Sequence, residues 1–378
     1  MRSREGRTVL EMLERRSETD GVVREIELHL RDLLDARSAS GAAYGPHFDR
    51  LWRLGSECLL GGKLLRPRLL MGAFDALARE PGGDAARRPA ALRIAAAVEL
   101  LHFSFLLHDD VIDEDLLRRG APNVIGRVID ASRAASGVEA DDASDRALHW
   151  ARSSGILLGD LMLSAAHQVF AREALPEAVR VRLLDLLDRT ITESVAGEQY
   201  DVGLSDGVIP ADLDTVLDMS RLKTATYTFE LPLRAAAVLA GSGSRVEQAL
   251  GEVARHLGVA FQLQDDLLCA FGDSREHGKD AFSDFREGKE TAIIAYARMT
   301  DAWPTLEPLL GARDFTEEHG RAIRAALVQC GAEGFIGSMV DDRIRAAVEI
   351  ASREATVIPG GLSRFLLRVV DTLEGRRA

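Results

Sequence analysis

The chain has little cysteine, few aromatics, no surplus of positive charge and no long unbroken apolar run. Its three cysteines, Cys58, Cys269 and Cys330, are far apart and odd in number, which excludes a disulfide framework and suits a reduced, cytoplasmic protein. Neither they nor the histidines have zinc-site spacing. Lys and Arg total 47 against 60 Asp and Glu, a net charge of −13. That argues against a sequence-independent grip on nucleic acid, which needs a clustered basic surface. The most apolar stretch, 94–107, is broken by Glu99 and His102 and is shorter than the roughly 20 residues of a membrane span. It reads as a buried helix, with no membrane span expected. MRSREGRTVLEMLERRSETD at the start lacks an apolar core of signal-peptide length, so no export signal is expected. Nucleophile–base patterns, a Walker loop and a GxGxxG fingerprint are also missing.

What is present points to helix. Leu, Ala, Arg and Glu abound, aromatics are only 5%, and long stretches lack both proline and β-branched alternation. An amphipathic helix or pair of helices is expected from Thr8 to about Arg37, then a turn-rich SASGAAYGPH and a helical run ending at Gly61-Gly62. Further helices are predicted at about 66–79, 90–113, 144–171, 176–201, 211–219, 222–240, 245–272, 289–299, 318–331 and 335–354. The acidic segment 135–145 reads as a surface loop. No repeat or linker divides the chain. The expected organisation is an all-α single bundle of antiparallel helices: an N-terminal extension (1–40), a catalytic domain (41–330) and C-terminal helices (331–378) whose role the pattern leaves open.

Four charged constellations stand out. In VELLHFSFLLHDDVIDEDLLRR a helix apolar nearly all round ends in carboxylates. Asp109 and Asp113 share a helix face with Asp110 turned aside, a spacing that can bridge ions taking hard oxygen ligands, such as Mg²⁺. A solvated acidic helix end is the alternative. Arg118 and Arg119 follow directly, suited to a site holding both metal and a phosphorylated ligand, or to an internal salt-bridge network. GGKLLRP sets Lys63 and Arg66 at a glycine-flanked helix start, where anions are favoured. FQLQDDLLC sets Gln262 one turn before Asp266, beside Asp265. Lys223-Thr224 opens another helix, and Lys279 and Lys289 flank GKDAFSDFREGK.

Acids, cations and an apolar interior fit ionisation of an allylic diphosphate. Metal and cations neutralise charge on the departing group, and the cavity shelters a carbocation. No protein nucleophile is needed.

GGKLLRP, HFSFLLHDDVIDEDLLRRG, GILLGDLMLSAA, KTATYTFELPL, FQLQDDLL and the paired GK segments stand in an order that resembles the trans-isoprenyl diphosphate synthases, the farnesyl and geranylgeranyl diphosphate synthase family. The resemblance spans roughly 50–300. It implies a helical bundle around a deep cavity, usually homodimeric, with three Mg²⁺ ions held with the diphosphate. Lys63, Arg66, His102 and Arg119 would bind isopentenyl diphosphate. Arg118, Lys223, Thr224, Gln262, Lys279 and Lys289 would contact the C5 to C15 allylic partner. Asp109, Asp113 and Asp265 would be metal ligands, supported by Asp110 and Asp266.

The chain departs from the family pattern in two motifs. Cys269 stands where a third aspartate is common, and a thiol is a poor ligand for hard Mg²⁺. Glu198 stands where glutamine is common, with Gln199 beside it. Phe105, one turn before Asp109, is a candidate floor of the cavity, whereas Ser104 offers no barrier; ordinary core packing is the alternative. The expected product is C20 geranylgeranyl diphosphate, with C15 farnesyl diphosphate next. A class I terpene cyclase and a non-catalytic subunit of a prenyl synthase are the competing functions.

Overall fold

The computed structural model describes residues 9–118, 120–136, 141–272, 282–353 and 357–375. Helix α1 (Val9–Gly41) is followed by α2 (Pro46–Leu59), α3 (Leu65–Ala78) and α4 (Arg88–Ile112). A two-stranded ribbon, β1 (Leu117–Arg118) and β2 (Ala121–Pro122), leads to α5 (Val124–Ser136), α6 (Asp141–Arg172), α7 (Glu177–Ser205) and α8 (Leu213–Ser220). A π-helical segment (Arg221–Glu230) runs directly into α9 (Leu231–Leu239) and is followed by α10 (Ser244–Phe271). Beyond it come α11 (Ser283–Glu287), α12 (Ala292–Arg298), α13 (Trp303–Leu306), α14 (Glu317–Gln329), α15 (Ala332–Arg353) and α16 (Gly360–Glu374).

The centre of the bundle is α4. Its Ala- and Leu-rich surface is apolar on every side, so it is stable only when surrounded; α1, α3 and α6 pack around it and Ile94 to Leu101 lie almost wholly inside. By length and composition Ala85–Ile112 could cross a membrane, yet it is a mostly buried core helix. Opposite it, α10 lies against α15 and the π segment, which also packs on α7. The N-terminal helix is less exposed than its charge suggests, because Ile26, Leu30 and Leu34 are buried.

Three differences from the sequence pattern have physical causes. The helix predicted at 222–240 is two pieces, wide then normal. Pro232 has no N–H for the Thr228 carbonyl and its ring crowds that carbonyl, and a π-wound stretch just before it accommodates both. The loop expected at 135–145 is shorter, since α5 runs to Ser136 and α6 starts at Asp141. Helices α5, α11 and α13 lie outside the predicted ranges, while α16 falls in the 331–378 stretch expected to hold C-terminal helices; the apolar faces of α5 and α16 bury Val124, Ile125, Leu362 and Leu366 against the bundle.

Candidate active site

Asp109 and Asp110 ride on the last turn of α4, and Asp113 caps its end. Glu114, in left-handed backbone at φ 59, breaks the helix, and the ribbon folds the chain back, Gly120 at φ 73 supplying its turn. That reversal lays Arg118 on the helix it has just left. Its guanidinium donates to Asp110 Oδ1 at 2.9 and 2.5 Å and reaches Asp109 Oδ2 at 3.4 Å.

Two lysines distant in sequence complete the cluster. Lys223 Nζ lies 3.1 Å from Asp109 Oδ1, 3.0 Å from Glu198 Oε2 and 2.5 Å from Asp201 Oδ2. Lys289 Nζ lies 2.8 Å from Asp113 Oδ2 and 3.0 Å from Glu287 Oε2. The second acidic motif joins through the neighbour of Lys223. Thr224 Oγ1 donates to Gln262 Oε1 at 2.9 Å, and Gln262 Nε2 donates to Asp266 Oδ1 at 2.8 Å. Asp265 is the adjacent residue of α10, half-buried.

Glycines let the π segment deliver Lys223 here. A Cβ on Gly197 of α7 would lie 2.2 Å from the Lys223 amide nitrogen, and one on Gly258 of α10 would lie 2.2 Å from Ala225 Cβ. Both helices thus touch the backbone of the segment from either side.

Electrostatics separate the carboxylates. Burial pushes Asp109 upward, but Lys223, Lys289 and Arg118 outweigh it and hold its carboxyl below the usual range. Asp110 is pushed up to about 6 by burial, which Arg118 only partly opposes. Burial also raises Glu198 to about 7, against the pull of Lys223 and with repulsion from Asp109. Lys223 and Lys289 are both raised above the ordinary lysine value, the carboxylates around them overcoming burial. Among the described residues, no three His, Cys, Asp or Glu side chains form a ready cluster for a metal ion. Instead lysines sit on Asp109 and Asp113. Carboxylates still outnumber the cations here, so the donor set is hard, oxygen-only and short of positive charge, as a divalent ion such as Mg²⁺ requires.

A second group lines the adjoining wall. Arg66, in the first turn of α3, donates to Thr228 Oγ1 at 2.9 Å and lies over the Tyr227 ring, 4.6 Å from its centroid. His102 stacks on the same ring at 5.7 Å and Phe105 meets it edge-on at 5.2 Å. Lys63 is exposed at the preceding turn, where Leu64 holds left-handed backbone at φ 50. Ser104 is fully buried. Arg119 and Lys279 lie outside the described residues.

Sequence reasoning did not assign Tyr227, Asp201 or Glu287. Tyr227 was detectable, lying one turn beyond Lys223 on the same helix. Asp201 and Glu287 had no such signal, since only folding brings them to a lysine. Glu198 rather than the exposed Gln199 faces the cluster, so the helix register is unshifted. Cys269 is buried with Sγ 3.5 Å from Ser283 Oγ, and burial pushes its thiol up to about 12.

A family model described as polyprenyl synthetase matches residues 51–327. The chain is 32% identical over 306 residues to the geranylfarnesyl diphosphate synthase of Aeropyrum pernix, covering 79% of this chain and 85% of that one. It is 30% identical to the geranylgeranyl diphosphate synthase of Methanosarcina mazei over 76% of this chain and 79% of that protein. The crystal structure of a geranylgeranyl pyrophosphate synthase from Corynebacterium glutamicum, complexed with isoprenyl diphosphate and magnesium, superposes with a TM-score of 0.84 at 27% identity, covering 95% of this chain and 99% of that one.

Proposed function

This chain belongs to the polyprenyl synthetase family as a short-chain trans-prenyl diphosphate synthase, and we propose that it condenses isopentenyl diphosphate with allylic diphosphates of C5 to C15 to make C20 geranylgeranyl diphosphate. The observation that carries the reading is the convergence of Lys223 and Lys289 on Asp109 and Asp113. Cations and carboxylates drawn from three parts of the chain make one cluster, an arrangement of charge that suits a metal-bound diphosphate.

In this reading Asp109, Asp113 and Asp265 hold Mg²⁺, the ion named with the Corynebacterium enzyme. When bound, it supplies positive charge opposite the diphosphate. Lys223, Lys289 and Arg118 grip the diphosphate of the allylic substrate and stabilise charge as its C1–O bond breaks, the electron pair leaving with the oxygen. Asp110 keeps Arg118 in place, as Asp266 keeps Gln262 beside Thr224. Arg66, Lys63 and His102 hold the diphosphate of isopentenyl diphosphate near that carbon. Its double bond supplies the pair for the new C–C bond, and transfer of a proton from the resulting cation to an oxygen of the departed diphosphate restores an alkene.

Phe105, set edge-on to Tyr227, is the floor beneath the growing chain. Of the relatives named above, one is called a geranylfarnesyl and one a geranylgeranyl diphosphate synthase. A homodimer is proposed on the family resemblance.

The test is incubation with Mg²⁺, labelled isopentenyl diphosphate and C5, C10 or C15 primers, followed by product sizing. A C20 product is expected, with longer chains from Phe105→Ala. Turnover without isopentenyl diphosphate points to a cyclase, and inactivity with every primer points to a non-catalytic subunit. An unchanged product distribution in Phe105→Ala removes that residue as the floor.

A further inference from the structure

Lys223 is over-supplied with carboxylates. Its ammonium has three N–H groups, and Asp109, Glu198 and Asp201 each lie within bonding distance of it. A diphosphate oxygen can therefore bond Lys223 only by displacing one of them. The three are not held alike. Asp201 is the closest, at 2.5 Å. Asp109 is also engaged by Arg118 at 3.4 Å. Glu198 reaches Lys223 through Oε2 alone, and its buried Oε1 has no hydrogen-bond partner among the described residues. It has the longest side chain of the three, the longer of the two contacts that α7 makes with Lys223, and a second oxygen left without a partner.

We propose that Glu198 is a positioning residue which holds Lys223 on α7 in the empty enzyme and yields its place to an oxygen of the substrate diphosphate. The inference rests on the reading of the pocket as a diphosphate site and concerns how that site is regulated. While Glu198 is engaged, its carboxylate competes with any anion approaching Lys223, so diphosphate alone is disfavoured. A divalent cation tips the balance by adding positive charge to the pocket. Glu198 thereby makes anion binding conditional on metal, at some expense of intrinsic anion affinity.

The geometry separates this role from simple packing. Glu198→Gln keeps the shape and an oxygen acceptor for Lys223 but removes the competing charge. Binding of inorganic diphosphate to the full chain, followed by titration calorimetry with and without Mg²⁺, reads the difference directly. Measured at about pH 8.5, above the value of about 7 to which burial raises Glu198 so that its carboxyl is ionised, Glu198→Gln is expected to bind diphosphate without Mg²⁺ more tightly than wild type, on the order of tenfold for removal of one nearby charge. Mg²⁺ half-saturation should shift the other way, to higher concentration, and the KM for the allylic substrate should fall more than kcat changes. A merely structural role would not move two affinities in opposite directions. Glu198→Ala should show the same signs. Adding Lys223→Met to Glu198→Gln should abolish the gain.

Equal or weaker metal-free diphosphate binding by both Glu198 variants overturns the proposal, as does a gain that survives loss of Lys223. If wild type binds no diphosphate even with Mg²⁺, the reading of the pocket itself fails, and the inference with it. Circular dichroism and melting of each variant identify any that do not fold, and the remaining Glu198 variant then decides.

Discussion

Replacing Gly197 with alanine tests the contact that puts Lys223 in the site. The new Cβ would lie 2.2 Å from the Lys223 nitrogen, 2.6 Å from its Cα and 2.7 Å from the Leu222 carbonyl carbon. All three are backbone atoms, so no side-chain rotation relieves the clash. Restoring ordinary contact requires α7 and the π segment to separate by about 1 Å, an overpacking that costs about 1–3 kcal/mol. The better helix propensity of alanine offsets at most about 1 kcal/mol of that. Because Lys223 rides on the displaced backbone, turnover should fall by about a hundredfold, the usual consequence of moving a catalytic group by about 1 Å. Denaturant unfolding and steady-state kinetics on the same preparation measure both effects. Gly334→Ala on α15 is the control. Nothing lies within 4 Å of its added Cβ, so the same chemical change should stabilise by about 0.5–1 kcal/mol and leave turnover alone. A Gly197→Ala protein as stable and as active as wild type would refute the packing argument.

Two further outcomes follow from burial. Asp110, raised from an ordinary 3.8 to about 6 mainly by burial, holds a proton in the folded protein that the unfolded chain releases. Its favourable contribution is complete below about pH 4 and is lost as pH rises through about 6, so Asp110→Asn should gain about 3 kcal/mol relative to wild type over that window; parallel denaturation midpoints at every pH would contradict this. Cys269, with its thiol pushed up to about 12, should resist iodoacetamide at pH 8 in the native protein and react once unfolded, as mass spectrometry of the labelled peptide would show; native-state labelling at the rate of a free thiol would contradict its burial.

Much of the scaffold was legible because helical patterning is local. Residues three and four apart share a face whatever else the chain does, so α4 declared itself as a helix apolar on all sides with carboxylates at its end. The breaks were harder to read. Pro232 sits in a stretch of otherwise good helix formers, and its effect spreads back over the ten residues of the π segment. The ribbon at 117–122 is too short to show strand alternation, yet it decides that Arg118 lies on Asp110.

By itself the sequence determined the chemistry available: paired aspartates on two helices, cations at defined turns, an apolar interior, and no nucleophile or redox centre to suggest another reaction. Only the tertiary structure decided the pairings. Lys289 meets Asp113 across 176 residues of chain, Arg66 meets Thr228 across 162, and three carboxylates from α4 and α7 close on Lys223. The physical reason is range. Helix propensity and amphipathic period act over one or two turns, whereas an ion pair between distant segments depends on how the helices pack. Here that depends on Gly197 and Gly258, where the absence of two side chains lets three backbones come together.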